Sequence, residues 1–167
     1  EAENLFIKVL SNSPKHLDAN SAMADIYYRK GKYKEGLNAI TKILSIDSYN
    51  AKANFLAGNI YRALRKYNDA KEAFGWASRS TEYKSAALAQ MAEIHLINNK
   101  WKLSIEYASN ALDYNRYNIN AMQAMIIAYR KSGDKKSTKK WINKLLSVDP
   151  LHHFANLEAY YLNSSKY

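Results

Sequence analysis

Apolar residues along this chain recur three and four positions apart, the spacing of one helix face rather than of a strand. In Ala51–Leu64 the face carries Phe55, Gly58, Ile60 and Tyr61. In Tyr67–Ser80 it carries Tyr67, Ala70, Phe74 and Ala77. The pattern predicts two helices, residues 51–64 and 67–80, folded on each other across a tight turn. Gly58 and Ala70 have little or no side chain, so each lets the partner helix approach near the lower end of the usual ~8–10 Å axis separation. Tyr61, Tyr67 and Phe74 are expected to fill the space above and below that contact.

The same pattern returns at a fixed step of 34 residues, which keeps each column in character without insertion or deletion. The close-contact column reads Ala24, Gly58, Ala92, Ile126. The aromatic closing the first helix reads Tyr27, Tyr61, His95, Tyr129, and the residue opening the second reads Tyr33, Tyr67, Trp101, Lys135. The small residue of the second helix reads Gly36, Ala70, Ser104, Thr138, and the large apolar after it Ile40, Phe74, Ala108, Ile142. Full repeats are therefore expected over 17–50, 51–84, 85–118 and 119–152. Ile126, Lys135 and Thr138 depart most from their columns and put the packing of the last second helix in question. His95, a lone histidine at an apolar position, reads as a packed core residue.

Residues 1–16 fit the second half of a repeat, so the chain is expected to open inside one. Ala2, Phe6, Val9 and Pro14 sit one period before Gly36, Ile40, Ile43 and Ser48. Pro14 falls where a helix must stop. Residues 153–167 fit the first helix of a further repeat or a cap, with Phe154, Leu157, Tyr160 and Tyr161 making it unusually apolar. Gly31 lies in a turn between helices, where positive φ suits a glycine. Tyr49, Tyr83 and Tyr117 are expected in the turn before each new first helix, in a packing role between repeats.

These columns resemble the tetratricopeptide repeat, whose period is 34 and whose unit is an antiparallel helix pair. The stretch DPLHHFANLEAYYL also resembles the tail of tetratricopeptide segments in large Bacteroidetes proteins of the DUF5107 type. The resemblance implies an all-α fold: a right-handed α-solenoid of antiparallel helix pairs, about ten helices in one continuous domain. It also implies a concave groove lined by the first helices, with groove residues recurring at the repeat interval. One ladder would be Asp25, Asn59, Glu93 and Ile127; a second Tyr28, Arg62, Leu96 and Arg130; a third Ser21, Phe55, Ala89 and Gln123. Such a mixture suits an extended or helical peptide held by pockets and hydrogen bonds, and an amide such as Asn59 can both donate and accept. Relatives that grip the C-terminal carboxylate of heat-shock proteins use Lys, Asn and Arg at set positions. Here only Asn59 falls in register, while Leu56, Gln90, Ala124 and Glu158 stand where an amide or cation is wanted. No such clamp is expected.

Composition adds exclusions. The chain has no cysteine, so disulfides, thiolate metal sites and Cys–His catalysis are out. No G-x-S-x-G elbow or glycine-rich phosphate loop occurs. His152 and His153 are adjacent and would point about 100° apart on a helix, not onto one metal. No catalytic set, cofactor or metal is expected, and the chain reads as a non-enzymatic scaffold for another protein or peptide. No apolar run approaches the roughly 18 residues of a membrane span. The sequence leaves the compartment open between cytoplasm and, for a bacterial chain within a larger exported protein, periplasm.

The net charge of +10 favours acidic partners. Lys135, Lys136, Lys139, Lys140 and Lys144 form a stripe that could neutralise phosphates. The stripe lacks the interleaved aromatics that stack on bases, and Trp141 beside Ile142 points to the packed side, which argues against nucleic acid. Binding of nucleic acid or of an acidic surface through this stripe, and a spacer role within a larger protein, stand as alternatives.

Overall fold

A computed structural model of the chain describes residues 2–164. Its ten helices are α1 (Ala2–Asn12), α2 (Leu17–Arg29), α3 (Tyr33–Leu44), α4 (Ala51–Ala63), α5 (Tyr67–Ala77), α6 (Thr81–Ile97), α7 (Trp101–Tyr114), α8 (Ile119–Ser132), α9 (Lys135–Val148) and α10 (His153–Asn163). The described residues contain no strand. The chain forms two compact units, Glu1–Tyr83 and Lys84–Tyr167.

In the first unit α2 pairs with α3 and α4 with α5, while α3 and α2 both pack on α4. Ala24, Ile40, Ile43 and Ile60 are buried at its centre, and Phe74 is fully buried. The small-residue column has a steric cause. A Cβ on Gly58 would lie 2.6 Å from ring carbons of Phe74, and one on Gly36 would lie 2.7 Å from Cδ1 of Ile60. In the second unit α7 and α9 pack on α8, and α10 packs on α9. Ala92, Ala108, Met122, Ile126, Ile142 and Leu145 form its core. The departures at Ile126 and Thr138 leave no gap: both are fully buried. The Thr138 hydroxyl donates to the carbonyl of Asp134 at 2.7 Å, so the polar atom is satisfied inside its own helix.

The turn joining the helices of each pair is built the same way four times. Gly31 (φ +72°), Arg65 (φ +59°), Asn99 (φ +56°) and Gly133 (φ +78°) occupy the left-handed region. Each lets the next N–H reach back to the aromatic column: Lys32 N to Tyr27 O, Lys66 N to Tyr61 O and Lys100 N to His95 O at 2.8 Å, and Asp134 N to Tyr129 O at 3.0 Å. That bond closes the first helix and starts the reversal.

The first helices start on side-chain caps in the same register. His16, Asn50, Asn118 and His152 each accept a hydrogen bond from the N–H three residues on. One period after Asn50 stands Lys84, which has no acceptor and cannot cap. The sequence pattern expects a second helix to Ser80 and a new first helix near Ser85. Instead α5 stops at Ala77 and α6 opens at Thr81, running through that boundary. Tyr83 therefore lies inside a helix, while Tyr49 and Tyr117 lie in turns as expected.

Candidate functional site

In the first unit the expected groove residues sit on two adjoining helices, Asp25 and Tyr28 on α2, Phe55, Asn59 and Arg62 on α4. All five are half-buried. The carboxylate of Asp25 takes an ion pair from Arg29, one turn on, at 2.9 Å. Tyr28 lies 6.2 Å from Tyr33, ring centre to ring centre. Phe55 packs edge-on to Phe74 at 5.6 Å and against Tyr83 at 5.4 Å. Its ring is thus mostly engaged in holding α4 in place. The remaining pair, Asp25 and Asn59, puts a carboxylate and an amide at the same register on neighbouring helices.

In the second unit Glu93 and Leu96 sit on α6, Ile127 and Arg130 on α8. Glu93, Leu96 and Ile127 are half-buried, and Leu96 packs against the core. Arg130 is exposed, with Nε 3.5 Å from Oε2 of the buried Glu158 on α10. Glu158 was visible in the sequence only as a carboxylate in a column otherwise filled by Leu56, Gln90 and Ala124. Gln123 has its amide nitrogen 3.3 Å from Nε2 of His152, whose Nδ1 caps α10 by accepting from Ala155 N at 3.4 Å. His152 is therefore a structural hinge pin between α8 and α10. Among the described residues no group of three His, Asp or Glu could hold a metal.

The third ladder needs correction. Ser21 and Ala89 are buried, not groove-facing. That register points into the seam with a neighbouring helix, where a small side chain permits close approach, and only Phe55 and Gln123 keep partial exposure. Leu56, Ala124 and Glu158, at the positions a carboxylate clamp would use, are buried as well. His95 is buried and stacked on Tyr107 at 4.9 Å, as a core histidine would be.

Helix α9 carries Lys135, Lys136, Lys139, Lys140 and Lys144 on its exposed side and buries Thr138, Ile142 and Leu145 on the other. Lys144 Nζ lies 4.5 Å over the half-buried ring of Trp141, so that indole already has a cation on it. Asp134 caps the helix by accepting from Ser137 N at 2.9 Å and from the Ser137 hydroxyl at 2.7 Å. Those two bonds hold its carboxyl below the usual carboxylate range. None of the helices, over the described residues, is long and apolar enough to cross a membrane. Exposed apolar side chains gather on α1 (Leu5, Ile7) and α10 (Leu157, Tyr160, Tyr161).

A tetratricopeptide repeat family model matches residues 17–50 and 51–75, which hold α2, α3, α4 and most of α5. Residues 17–75 are built of tetratricopeptide repeats. Solved structures with the same fold include PilF of Pseudomonas aeruginosa (TM-score 0.84, 21% identity, covering 94% of this chain and 72% of that one). YrrB, described as a TPR protein with an unusual peptide-binding site, aligns with TM-score 0.74 and 21% identity over 96% of this chain and 86% of its own. The first TPR of Spaghetti (RPAP3), bound to the HSP90 peptide SRMEEVD, aligns with TM-score 0.64 and 20% identity over 70% of this chain and 94% of its own. At these identities the likeness is one of fold: an all-α solenoid of helix pairs. No protein of curated function matches the sequence significantly. Tetratricopeptide repeats work in general as scaffolds for protein interaction.

Proposed function

We propose that the chain recruits a protein partner by seating an extended or helical segment of it on the faces of its first helices. In the first unit the contact residues are Asp25, Tyr28, Asn59 and Arg62, with the edge of Phe55 beside them. In the second unit they are Glu93, Leu96, Ile127 and Arg130. The observation that carries this reading is the half-burial, at repeating registers, of all of them but the exposed Arg130. Side chains in that state are held by packing yet keep a surface to offer, which lowers the entropy lost on binding. The residue types also fit: apolar groups for a pocket, one amide for peptide backbone, and charges of both signs for orientation. YrrB and the RPAP3 repeat, both described with peptides, support the class of partner.

The test is affinity capture from the source organism's lysate, with and without nuclease treatment, with three baits: wild type, Asn59→Arg and Glu93→Arg. A protein held by wild type and lost from either variant, with helicity unchanged, supports the reading. Equal capture by all three would remove the first-helix faces from consideration. Capture that disappears only on nuclease treatment would transfer the function to the α9 lysines, and no specific capture would favour a spacer role.

A further inference from the structure

A groove of about 410 Å³ lies between α3 and α5 in the first unit, away from the contact residues proposed above. Its floor includes Ile40 and Ala57, and one wall holds Asp69, Glu72 and Trp76 of α5. Tyr49, from the turn after α3, and Tyr61, from α4, line it as well.

Trp76 is the residue that repeat packing does not explain. Its column reads Lys42, Trp76, Asn110, Lys144, so the other repeats carry polar side chains there. Trp76 is half-buried, and the exposed Tyr49 lies 5.0 Å away, tilted by 56°. The acidic pair is local too. The equivalents of Asp69 are Glu35, Leu103 and Ser137, and those of Glu72 are Asn38, Glu106 and Lys140; only the second repeat has both acids. Among the described residues neither Asp69 nor Glu72 forms an ion pair, although the protein as a whole has ten more cationic than anionic side chains.

Aromatic rings beside unpaired carboxylates form a cation site: the ring faces attract a cation, and the acids neutralise it. A guanidinium fits better than an ammonium, because it is flat enough to stack and can pair with a carboxylate through two N–H groups. The ring of Trp76 already takes a guanidinium, the carbon of Arg79 lying 4.1 Å from its centre, so the incoming group takes the place of Arg79 there. We propose that this groove is a second docking site, whose occupant is an arginine side chain on an exposed segment of a protein partner. It is independent of the first-helix faces.

The experiment is a ¹⁵N NMR titration of the whole chain with a short Gly-Ser peptide carrying two arginines, and with the same peptide carrying citrulline, the neutral isostere. The indole N–H of Trp76 reports on the groove, while those of Trp101 and Trp141 serve as internal references. The expected result is a saturable shift at Trp76 alone, with affinity at least about fivefold weaker for citrulline, the factor expected for loss of a cation–π contact of about 1 kcal/mol. Asp69→Asn with Glu72→Gln, both at exposed positions and so compatible with folding, should weaken arginine binding by a similar factor. No Trp76 shift at millimolar peptide, equal affinity for citrulline, or unchanged affinity in the acid-neutralised variant would each overturn the proposal.

Discussion

Three glycines lie inside helices, and the structure assigns each a different response to alanine. Relieving a glycine in a helix interior gains about 1 kcal/mol in helix propensity. At Gly75 nothing lies within 4 Å of the added methyl, so that gain should appear in full. The thermal midpoint should rise by about 2–4 °C. At Gly36 the methyl meets Cδ1 of Ile60 at 2.7 Å. That atom ends a flexible side chain and can swing aside for about 1 kcal/mol, so the net change should be near zero. At Gly58 the methyl meets three ring carbons of Phe74 at 2.6–2.8 Å, about 1 Å inside the favourable carbon–carbon distance. The ring is fully buried and braced edge-on by Phe55, so it cannot retreat. Overpacking should cost about 2–3 kcal/mol, leaving a net loss of about 1–2 kcal/mol after the propensity gain. Thermal and urea melts followed by far-UV circular dichroism would rank the three variants. Phe74→Leu in the Gly58→Ala background should restore about 1–2 kcal/mol as a coupling between the two sites. A Gly58→Ala protein as stable as Gly75→Ala, or additive behaviour with Phe74→Leu, would refute the helix register described here.

Ala92 is fully buried, so Ala92→Arg should overpack the second unit and bury a charge; an unchanged thermal midpoint would contradict the register. Arg65 occupies the left-handed region without being glycine, and Arg65→Gly should stabilise the chain by about 0.5–1 kcal/mol in a urea melt, with destabilisation the contrary result. The carboxyl of Asp134 is held low by Ser137, so its contribution is present above the ordinary carboxylate range and is lost as pH falls through its lowered value. The gap in thermal midpoint between wild type and Asp134→Ala should therefore close in acid, and a gap independent of pH would contradict the capping account. An acidic peptide ending in EEVD should bind weakly or not at all, because Leu56, Ala124 and Glu158 are buried where a clamp needs exposed amides or cations; saturation at low micromolar peptide would overturn this.

The helix-pair architecture was legible because packing imposes it on every repeat. Gly58 must be small for Phe74 to fit, and the same constraint shows in Ala24, Ala92 and their partners. The turns were less legible. Gly31 announces a left-handed residue, but Arg65 and Asn99 adopt the same conformation with no glycine to mark them. Their conformation follows from the hydrogen bond back to Tyr61 or His95, which side-chain patterns do not show. The early start of α6 had a readable cause in Lys84, which cannot cap, yet a fixed period hides a single missing cap. Among the site residues, exposure was misjudged at Ser21 and Ala89 because small residues on a helix flank look alike whether they face solvent or a neighbouring helix. Phe55 was placed on the groove face, where its ring also braces Phe74 and Tyr83. The pairing of Arg130 with Glu158 joins residues on α8 and α10, a contact that depends on tertiary packing rather than on local spacing.

The most direct test of partner recruitment places a photo-cross-linking residue at Asn59 on α4, at Ile127 on α8 and, as a reference, at Lys139 on α9. Each protein is then irradiated in the source lysate. The account predicts one partner cross-linked from Asn59, Ile127 or both, and no cross-link to it from Lys139. A partner joined only at Lys139, with Asn59 and Ile127 silent, would contradict it.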